Sequence, residues 1–358
     1  MKFGHWRQAG MSDKKKWYEY AGDDSDVIVS TRVSVARNLK DHPFVWRMRA
    51  AERKAVLRTV ISAVQDEHLS IAGLFSCTLM EELTKTQAVS LAERGVVSPE
   101  FIAKCEGKAL LCSEDESISI AVNGGDHLLL SAMRPGLDLD GAGSAADTLE
   151  SVLSRVLPFA FDREFGYLTA DPANLGTGMH AELTMHLPGL ARAGSLSRVA
   201  SGLAQLGLSL REGVGAESGA ELYRLSNRVT LGISEQEATF NLKSMAYQVV
   251  MQERAARKTL CQPLESQDRI FRCLGVLQHA RILPLGEFME CFSNVRLGIA
   301  QQMFPAGPAM DAMAPLMMRA QPATLTLLTG RSMTAAERDA ARADLVRVLW
   351  KGEKGKES

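Results

Sequence analysis

Two arginines near the end of the chain, Arg338 and Arg342, have the spacing of a phosphate-binding pair. Residues four apart on a helix share one face, so two guanidinium groups at these positions can converge on a single phosphate. The alternative is an ordinary solvated helix face, because Glu337 and Asp344 are close by. On spacing alone, the solvated face is the commoner arrangement.

A second polar stretch, Asn123-Gly124-Gly125-Asp126, joins two apolar segments. In the segment before it, the apolar residues Ile118, Ile120 and Val122 alternate with other side chains. The Asn-Gly and Gly-Asp steps supply the positive φ angles that a tight turn needs. The sequence therefore predicts a β-hairpin here. His127 and His186 lie in apolar contexts and are predicted to be hydrogen-bonded structural histidines rather than acid–base groups.

The cysteines do not have the spacing of a metal site. No C-x-x-C pair occurs, and no histidines join the cysteines at ligand spacing. We therefore expect no metal ligands and reduced, mostly buried thiols. The six cysteines are Cys77, Cys105, Cys112, Cys261, Cys273 and Cys291.

The composition is that of an ordinary globular protein. The chain has 358 residues, of which 46% are hydrophobic and 23% charged, and its formal net charge is −1. Such a balance gives no overall basic field that would attract nucleic acid or an acidic membrane surface. Neither a signal peptide nor an apolar run long enough for a membrane span is found, so a cytoplasmic location is expected.

The elements that must position these residues mix strands and helices without βαβ alternation. Helical spacing occurs at about 50–64 and 236–260, the hairpin spans about 118–133, and strand-like segments lie at 209–211 and 223–233. A capping box of Ser144 and Asp147 predicts a helix that begins at Ser144. This arrangement favours an α+β fold.

Beyond about residue 260 only helices are predicted. They cover 266–282, 285–301 and 309–320, and a last helix is expected to begin at Thr334, whose hydroxyl can cap while Glu337 reaches back. We therefore predict three regions: a flexible segment at 1–25, an α+β domain at 26–257 and a helical domain at 258–358.

Several short segments resemble, in order, those of bacterial protein-arginine kinases (McsB-like), a branch of the ATP:guanido phosphotransferases or phosphagen kinases. The resemblance extends from residue 26 to about residue 350. The segments include Ser30-Thr31-Arg32-Val33, Val97-Ser98-Pro99-Glu100-Phe101, Asn123 with Asp126-His127, Asn174-Leu175-Gly176-Thr177-Gly178, Met185-His186-Leu187-Pro188 and Arg338-Asp339-Ala340-Ala341-Arg342-Ala343.

The resemblance implies a phosphagen-kinase-type catalytic domain, an antiparallel sheet flanked by helices, followed by a helical domain for dimerisation and phosphoarginine binding. It also implies ATP-dependent phosphorylation of protein arginine residues with ATP and Mg²⁺. The implied partners are client proteins with arginine or phosphoarginine, a zinc-binding activator protein, the Clp protease system and a second copy of the chain.

This chain departs from the family where the catalytic carboxylates lie. A guanidinium is a poor nucleophile until carboxylates align it and accept a proton. Both glutamates of the family's N-E-E-D-H-x-R motif are replaced, by Gly124 and Gly125, and the glutamate of its R-G-x-x-G-E motif falls on Ala216. The remaining candidates are Asp171, which stands where the family has a cysteine, and Glu217, one position late.

The phosphate-binding arginines are also reduced in number. Ser34, Leu129 and His180 occupy positions where the family has arginine, and a protonated His180 is a weak substitute. For Arg32 and Arg211, anion binding and structural ion pairing stay open as alternatives. The candidate nucleotide-binding residues are Ser30, Thr31, Arg32, His180 and Arg211.

These replacements predict very little kinase activity. Loss of a general base costs roughly 10²–10⁴-fold and loss of a phosphate-stabilising arginine about 10³–10⁵-fold. We therefore expect a pseudokinase that acts as a regulator. The alternatives are an active kinase with the relocated carboxylates Asp171 and Glu217, and a structural partner subunit.

The R-D-x-x-R-A pattern is the family feature that survives best. In the resembled kinases this pattern belongs to a pocket that binds phosphoarginine. The resemblance thus favours a ligand role for these residues over the solvated helix face, with Asp339 meeting the guanidinium part of the ligand. The candidate phosphoarginine-binding residues are Arg338, Asp339, Arg342 and Ala343.

Overall fold

A computed structural model describes residues 14–213, 219–305 and 309–351. Its centre is an eight-stranded antiparallel sheet with the order β2-β3-β4-β5-β1-β8-β10-β9. Strand β1 is central and pairs with β5 on one side and β8 on the other. The strands are β1 (Ile28–Arg37), β2 (Phe75–Leu79), β3 (Ala109–Ser113), β4 (Ile118–Val122), β5 (Leu128–Pro135), β8 (Met179–His186), β9 (Leu208–Glu212) and β10 (Leu222–Asn227), with β6 (Phe161–Asp162) and β7 (Gly166–Tyr167) in a separate small hairpin.

The two faces of this sheet differ in polarity because side chains alternate along each strand. In β8, Ala181, Leu183 and Met185 are buried on one face, whereas His180 and Glu182 point to the other. The apolar face forms the main core with the helices α1 (Ala50–Val64), α4 (Leu139–Leu153), α6 (Leu196–Gln205) and α7 (Glu235–Leu260), and α5 (Pro188–Arg192) packs beside α7. The opposite face of the central strands is polar.

Two further cores lie outside the main one. The helices α2 (Lys85–Glu93) and α3 (Pro99–Ala103) cover β3 and β4 through a small cluster that includes Phe101 and Leu110. A helical C-terminal region forms the other, around Phe288 and Phe292. Its helices are α8 (Leu264–His279), α9 (Leu285–Ala300), α10 (Met313–Arg319), α11 (Pro322–Thr329) and α12 (Ala335–Lys351). An antiparallel sheet flanked by helices and followed by helices confirms the predicted α+β class.

Buried polar contacts join the helical region to the sheet. Ser293 of α9 donates to Glu221 Oε2 at 2.6 Å and lies 2.8 Å from His186 Nε2 at the end of β8. On the other side, Glu93 of α2 accepts hydrogen bonds from the backbone of Ala323 and Thr324 at the start of α11. Among the described helices, none is long and apolar enough to cross a bilayer.

Several predicted elements need correction. Helix α4 does not begin at Ser144: it begins at Leu139, because Asp138 accepts a hydrogen bond from Gly141 N and supplies the cap. The strand predicted at 223–233 ends at Asn227. The helix predicted at 309–320 is a short 3₁₀ turn followed by α10, and α11 was not predicted.

The segment predicted to be flexible, residues 1–25, is packed where the structure describes it. Trp17 and Tyr18 are buried in the core of the helical region, and Trp17 N donates to Asp115 O. Large aromatic side chains bury much apolar area, and that burial outweighs the entropy of ordering a short segment. Residues 1–13 lie outside the described part.

Candidate functional site

The candidate site is the polar face of the sheet, where β1, β8 and β10 run side by side. Arg32 in β1 lies directly opposite Glu182 in β8, and Glu182 lies opposite Ser226 in β10. Two positions along β10, Arg224 lies opposite Arg211 in β9. Residues that face each other across antiparallel strands share a face. Three arginines and one glutamate are therefore brought together.

Arg32 is the most buried of these arginines. Its Nε donates to Met133 Sδ at 3.0 Å, and its Nη2 donates to the backbone oxygen of Gly95. Burial lowers the pKa of Arg32, while the nearby charge of Glu182 raises it. Because arginine starts so far above neutral pH, the group stays cationic. Part of its fork is already engaged in structural contacts.

The two residues that precede Arg32 do not contribute equally to this face. Ser30 is buried on the same side as Arg32 and lies opposite Thr184. Thr31 points to the other side and is fully buried: its Oγ1 donates to Gly136 O at 2.6 Å and accepts from Asp138 N at 3.0 Å. Thr31 therefore holds the strand to the segment before α4 and is not placed to touch a nucleotide.

Arg224 was not predicted from the sequence. Its Nη1 lies 3.9 Å from Glu182 Oε2, and it is directly opposite the exposed Arg211. The sequence did indicate that Arg224 and Ser226 share one face of a strand, because side chains alternate between the two faces along Leu222-Tyr223-Arg224-Leu225-Ser226. The partner strands could not be known, because register across a sheet is set by long-range pairing.

The hairpin between β4 and β5 has the predicted place, but its glycines do not supply the positive φ. Asn123 takes that conformation, with φ 60°, and its Nδ2 donates to the backbone oxygens of Arg53 and Gly107. An added Cβ at Gly125 would meet nothing within 4 Å, and one at Gly124 would meet a Phe101 ring carbon at 3.2 Å. Position 125 therefore has room for a side chain, whereas at position 124 the Phe101 ring would have to shift.

Asp126 and His127, the residues that follow the glycines, are engaged in structural hydrogen bonds. Asp126 Oδ1 accepts from Asn38 Nδ2 at 2.6 Å and from Ala170 N at 2.7 Å. His127 Nδ1 accepts from Leu39 N, so its Nε2 carries the proton and donates to Pro43 O at 2.9 Å. Burial lowers the pKa of His127. The prediction of a structural His127 agrees with this geometry.

His180 and Asp171 lie near each other at the end of the polar face. His180 Nε2 is 2.7 Å from Asn174 Oδ1, and burial lowers the pKa of His180, against the opposing charges of Glu182, Asp171 and Asp126. A neutral imidazole adds no positive charge for a phosphate. Asp171 is exposed and accepts a hydrogen bond from Ala173 N at the start of a short 3₁₀ turn. Glu217 lies outside the described residues.

The predicted phosphoarginine residues lie on α12, whose predicted cap is confirmed: Thr334 N donates to Glu337 Oε2 at 2.8 Å. Arg342 is buried rather than on a solvated face. Its Nε donates to Ala320 O and its Nη1 to Leu283 O and to Asp339 Oδ1, at 2.7–2.8 Å.

Those contacts limit what the pair of arginines can do. Arg338 is half-buried and donates to Met333 O at 2.9 Å, and Ala343 is buried in the helical core. Three of the hydrogen bonds that Arg342 can donate are already made within the protein. A ligand phosphate at this place would meet Arg338 first, and a ligand guanidinium would compete with Arg342 for Asp339.

The hydrogen-bond donors on the polar face match part of what the phosphates of a nucleotide require. Arg32, Arg211 and Arg224 supply guanidinium N–H groups, the donors that recognise phosphate best. Within 14–213, 219–305 and 309–351, no three His, Cys, Asp or Glu side chains are grouped so as to hold a metal ion. A magnesium ion bound together with nucleotide phosphates needs no such cage.

Two family models match the chain. ATP:guanido phosphotransferase, C-terminal catalytic domain, matches residues 55–256, and protein-arginine kinase McsB C-terminal domain matches residues 263–357. Among solved structures, the duplicated taurocyamine kinase of Schistosoma mansoni with bound transition state analog components aligns with a TM-score of 0.61 at 18% identity, over 75% of this chain and 40% of that one. Lombricine kinase aligns with a TM-score of 0.57 at 18% identity, over 70% of this chain and 75% of that one.

Curated relatives are closer in sequence. The protein-arginine kinase of Moorella thermoacetica is 38% identical over 342 residues, which cover 94% of this chain and 97% of that protein. The protein-arginine kinase of Pelotomaculum thermopropionicum is 37% identical over 336 residues, covering 92% and 94%. Together with the sheet, the polar face and the helical region, these similarities lead to one conclusion: the chain belongs to the protein-arginine kinase family of the ATP:guanido phosphotransferases.

Proposed function

We propose that this protein is a regulatory member of the family in which phosphoryl transfer is strongly impaired. The observation that carries this proposal is the turn at 123–127. Gly124 and Gly125 present no carboxylate, and Asp126 and His127 are tied to structural partners. Without a group that aligns the acceptor guanidinium and accepts its proton, the barrier to transfer stays high.

The nucleotide side is impaired less than the acceptor side. Arg32, Arg211 and Arg224 are on one face, so some affinity for ATP with Mg²⁺ is expected. Leu129 is exposed on the neighbouring strand and offers no donor, and the pKa of His180 is lowered by burial. Nucleotide binding without turnover is the behaviour that this distribution of groups favours.

We further propose that the protein recognises arginine or phosphoarginine on client proteins through α12. Arg338 is partly accessible, and Asp339 is 26% exposed and placed next to it. The buried Arg342 would orient Asp339 through their 2.7 Å contact rather than grip the phosphate itself. The same proposal includes homodimerisation, a zinc-binding activator, the Clp protease system and a cytoplasmic setting, all of which rest on the resemblance to the family.

The kinase step is tested with radiolabelled ATP, Mg²⁺ and an arginine-rich acceptor protein, by counting acid-labile phosphate. We expect no label above the level of a heat-inactivated sample. Label that is lost on Arg211→Ala would overturn the proposal, because it would require a working phosphate clamp. Arg228→Ala, which removes an exposed arginine just beyond β10, is the matched control.

Recognition of phosphoarginine is tested by calorimetry with the free amino acid. We expect binding that weakens at least about tenfold on Arg338→Ala, since a charge-assisted contact to phosphate is lost. Arg331→Ala, an exposed arginine just before α12, serves as the control. No heat of binding, or equal heat in all three proteins, removes recognition of phosphoarginine through Arg338. If the kinase assay and the calorimetry are both blank, a structural partner subunit is the remaining function.

A second candidate, an active kinase with a relocated carboxylate, has one observation in its favour. Asp171 is exposed, and its negative charge partly opposes the lowering of the His180 pKa by burial, so a carboxylate is present beside the polar face. In the same assay, label that falls at least a hundredfold on Asp171→Asn while ATP binding is unchanged would establish this function instead.

A further inference from the structure

Glu182 occupies an unusual place for an acidic residue, because it lies between arginines on the face that is expected to bind phosphates. Arg32 is directly opposite it on one neighbouring strand. On the other, Arg224 Nη1 lies 3.9 Å from Glu182 Oε2. The Glu182 side chain is 28% exposed, so a ligand on this face would reach it.

The arginines are therefore partly neutralised before any ligand arrives. The charge of Glu182 acts on Arg32, and Arg224 acts in turn on the carboxylate of Glu100, at the start of α3. Each fixed carboxylate attracts the guanidinium groups and repels an anion that approaches them. In a partly exposed site, one unit charge at about 4–6 Å changes the affinity for a multivalent anion by roughly tenfold.

Other groups on this face do not offset that repulsion. Ser30, Thr184 and Ser226 are neutral hydrogen-bonding residues on the same strands. His180 follows along β8, and burial lowers its pKa, so it adds no charge at neutral pH. Asp126 and Asp171 contribute further negative charge near His180.

We propose that Glu182 is a specificity-determining residue that serves as an internal counter-anion for Arg32 and Arg224 and lowers the affinity of this face for free polyphosphates. The proposal rests on the proposed function, because it describes the same arginine face. Glu182 would thus make this face bind a polyphosphate whose charge is reduced by a bound cation in preference to a bare polyphosphate.

The test is calorimetric binding of inorganic tripolyphosphate and of ADP, each with and without Mg²⁺, to the full-length chain and to Glu182→Gln. Glutamine keeps the length and shape of glutamate and removes only the charge. The matched control is Glu212→Gln, which removes the same charge from an exposed residue of β9. The side chains of Arg211 and Glu212 point to opposite faces of the sheet, so Glu212 is not on the arginine face.

We expect Glu182→Gln to bind metal-free tripolyphosphate about tenfold more tightly than the unaltered protein, and Glu212→Gln to bind as the unaltered protein does. The gain should be smaller with Mg²⁺ and at 0.5 M salt, where the repulsion is reduced or screened. An unchanged or weaker affinity of Glu182→Gln overturns the proposal, as does an equal gain in both variants, which would reflect net charge alone.

Failure of this inference is distinguishable from failure of the proposed function. If neither the unaltered protein nor Glu182→Gln binds tripolyphosphate at millimolar concentration, Glu182 is not what limits binding and the inference is wrong, while impaired transfer still stands. If label transfer to the acceptor protein is observed, the proposed function is wrong whatever Glu182 does. Equal melting temperatures of the two variants verify that both are folded.

Discussion

The imidazole of His186 is held by groups from both parts of the chain. Its Nε2 is 2.8 Å from Ser293 Oγ, which itself donates to Glu221, so Ser293 accepts the His186 proton. Nδ1 lies 3.3 Å from Arg257 Nη2 and acts as an acceptor. Complete burial, together with the charge of Arg257, moves the pKa of His186 well below its usual value. The folded protein therefore keeps this residue neutral.

A pH dependence of stability follows from that pKa. In the unfolded chain His186 binds a proton near pH 6.5, whereas in the folded protein it does not, so the free energy of unfolding decreases as the pH falls below about 6.5. One such group contributes a slope of about 1.4 kcal/mol per pH unit. We expect His186→Gln to reduce the slope by about this amount.

The measurement is urea unfolding at several pH values between 7.5 and 5. His68→Gln, at an exposed histidine after α1, is the control and should leave the slope as it is. Equal slopes in His186→Gln and the unaltered protein would contradict the assignment of a neutral imidazole. The other histidines with lowered pKa values, His127 and His180, contribute in the same direction and are unaltered in this comparison.

At the scale of elements, a buried ion pair fixes β1 to α4. Arg37 is fully buried and donates from Nε and Nη2 to both oxygens of Glu150, at 2.8 and 2.7 Å. The ring of Tyr167 lies over the guanidinium at 3.5 Å, and Nη1 donates to the backbone oxygen of Thr177. One side chain thus holds the strand, the helix and the glycine-rich loop beside the polar face.

Removing Glu150 is costly because the fully buried Arg37 then loses its bidentate partner and keeps only the longer contact with Glu235, at 3.6 Å. We expect Glu150→Gln to lower the free energy of unfolding by about 3–5 kcal/mol. The double variant Arg37→Met with Glu150→Met should lose less than that, since both charges are removed together. Denaturant unfolding measures both, with Asp268→Asn in the exposed pair with Arg272 as a control without measurable effect. A double variant less stable than the single one would disagree with this account.

The elements themselves were predictable where local signals agree. Alternation and the Asn-Gly step gave the hairpin, and Thr334 with Glu337 gave the start of α12. The sequence did not predict that α4 begins at Leu139, because glycines such as Gly141 and Gly143 are typical of loops, although Asp138 caps the first turn. Local propensity is overridden there by packing of the helix on the sheet.

The site was predictable only in part, for a related reason. Arg32 and Arg211 were found through motifs, whereas Arg224 and Glu182 acquire their meaning from pairing across strands far apart in sequence. Burial of Arg342 was equally hidden, because its partners Ala320 and Leu283 come from other elements. Helical spacing reports which residues share a face, and it does not report what packs against that face.

At the scale of the whole molecule, the helical region is attached to the sheet at separate places. Arg296 of α9 donates to the backbone oxygen of Ser25, just before β1. At the opposite side, both oxygens of Glu93 accept from the backbone of Ala323 and Thr324. The first turn of α11 is thus capped by a residue of another part of the chain.

Loss of that cap should open α11 locally. We expect Glu93→Ala to increase amide hydrogen exchange at Ala323 and Thr324 by about five- to thirtyfold, which corresponds to a cap worth about 1–2 kcal/mol. Glu82→Ala, at an exposed acid just before α2, is the control and should leave exchange in α11 unchanged. Equal exchange in the two variants would mean that the helix end is held by other contacts.

The conformation of the hairpin turn decides which substitutions its glycines tolerate. Because Asn123 takes the left-handed backbone conformation, neither glycine is needed for the shape of the turn. Every glycine codon becomes a glutamate or aspartate codon by one base change, and Gly125 faces open space. A single nucleotide change can therefore place an acidic side chain at position 125 without a steric clash in the turn.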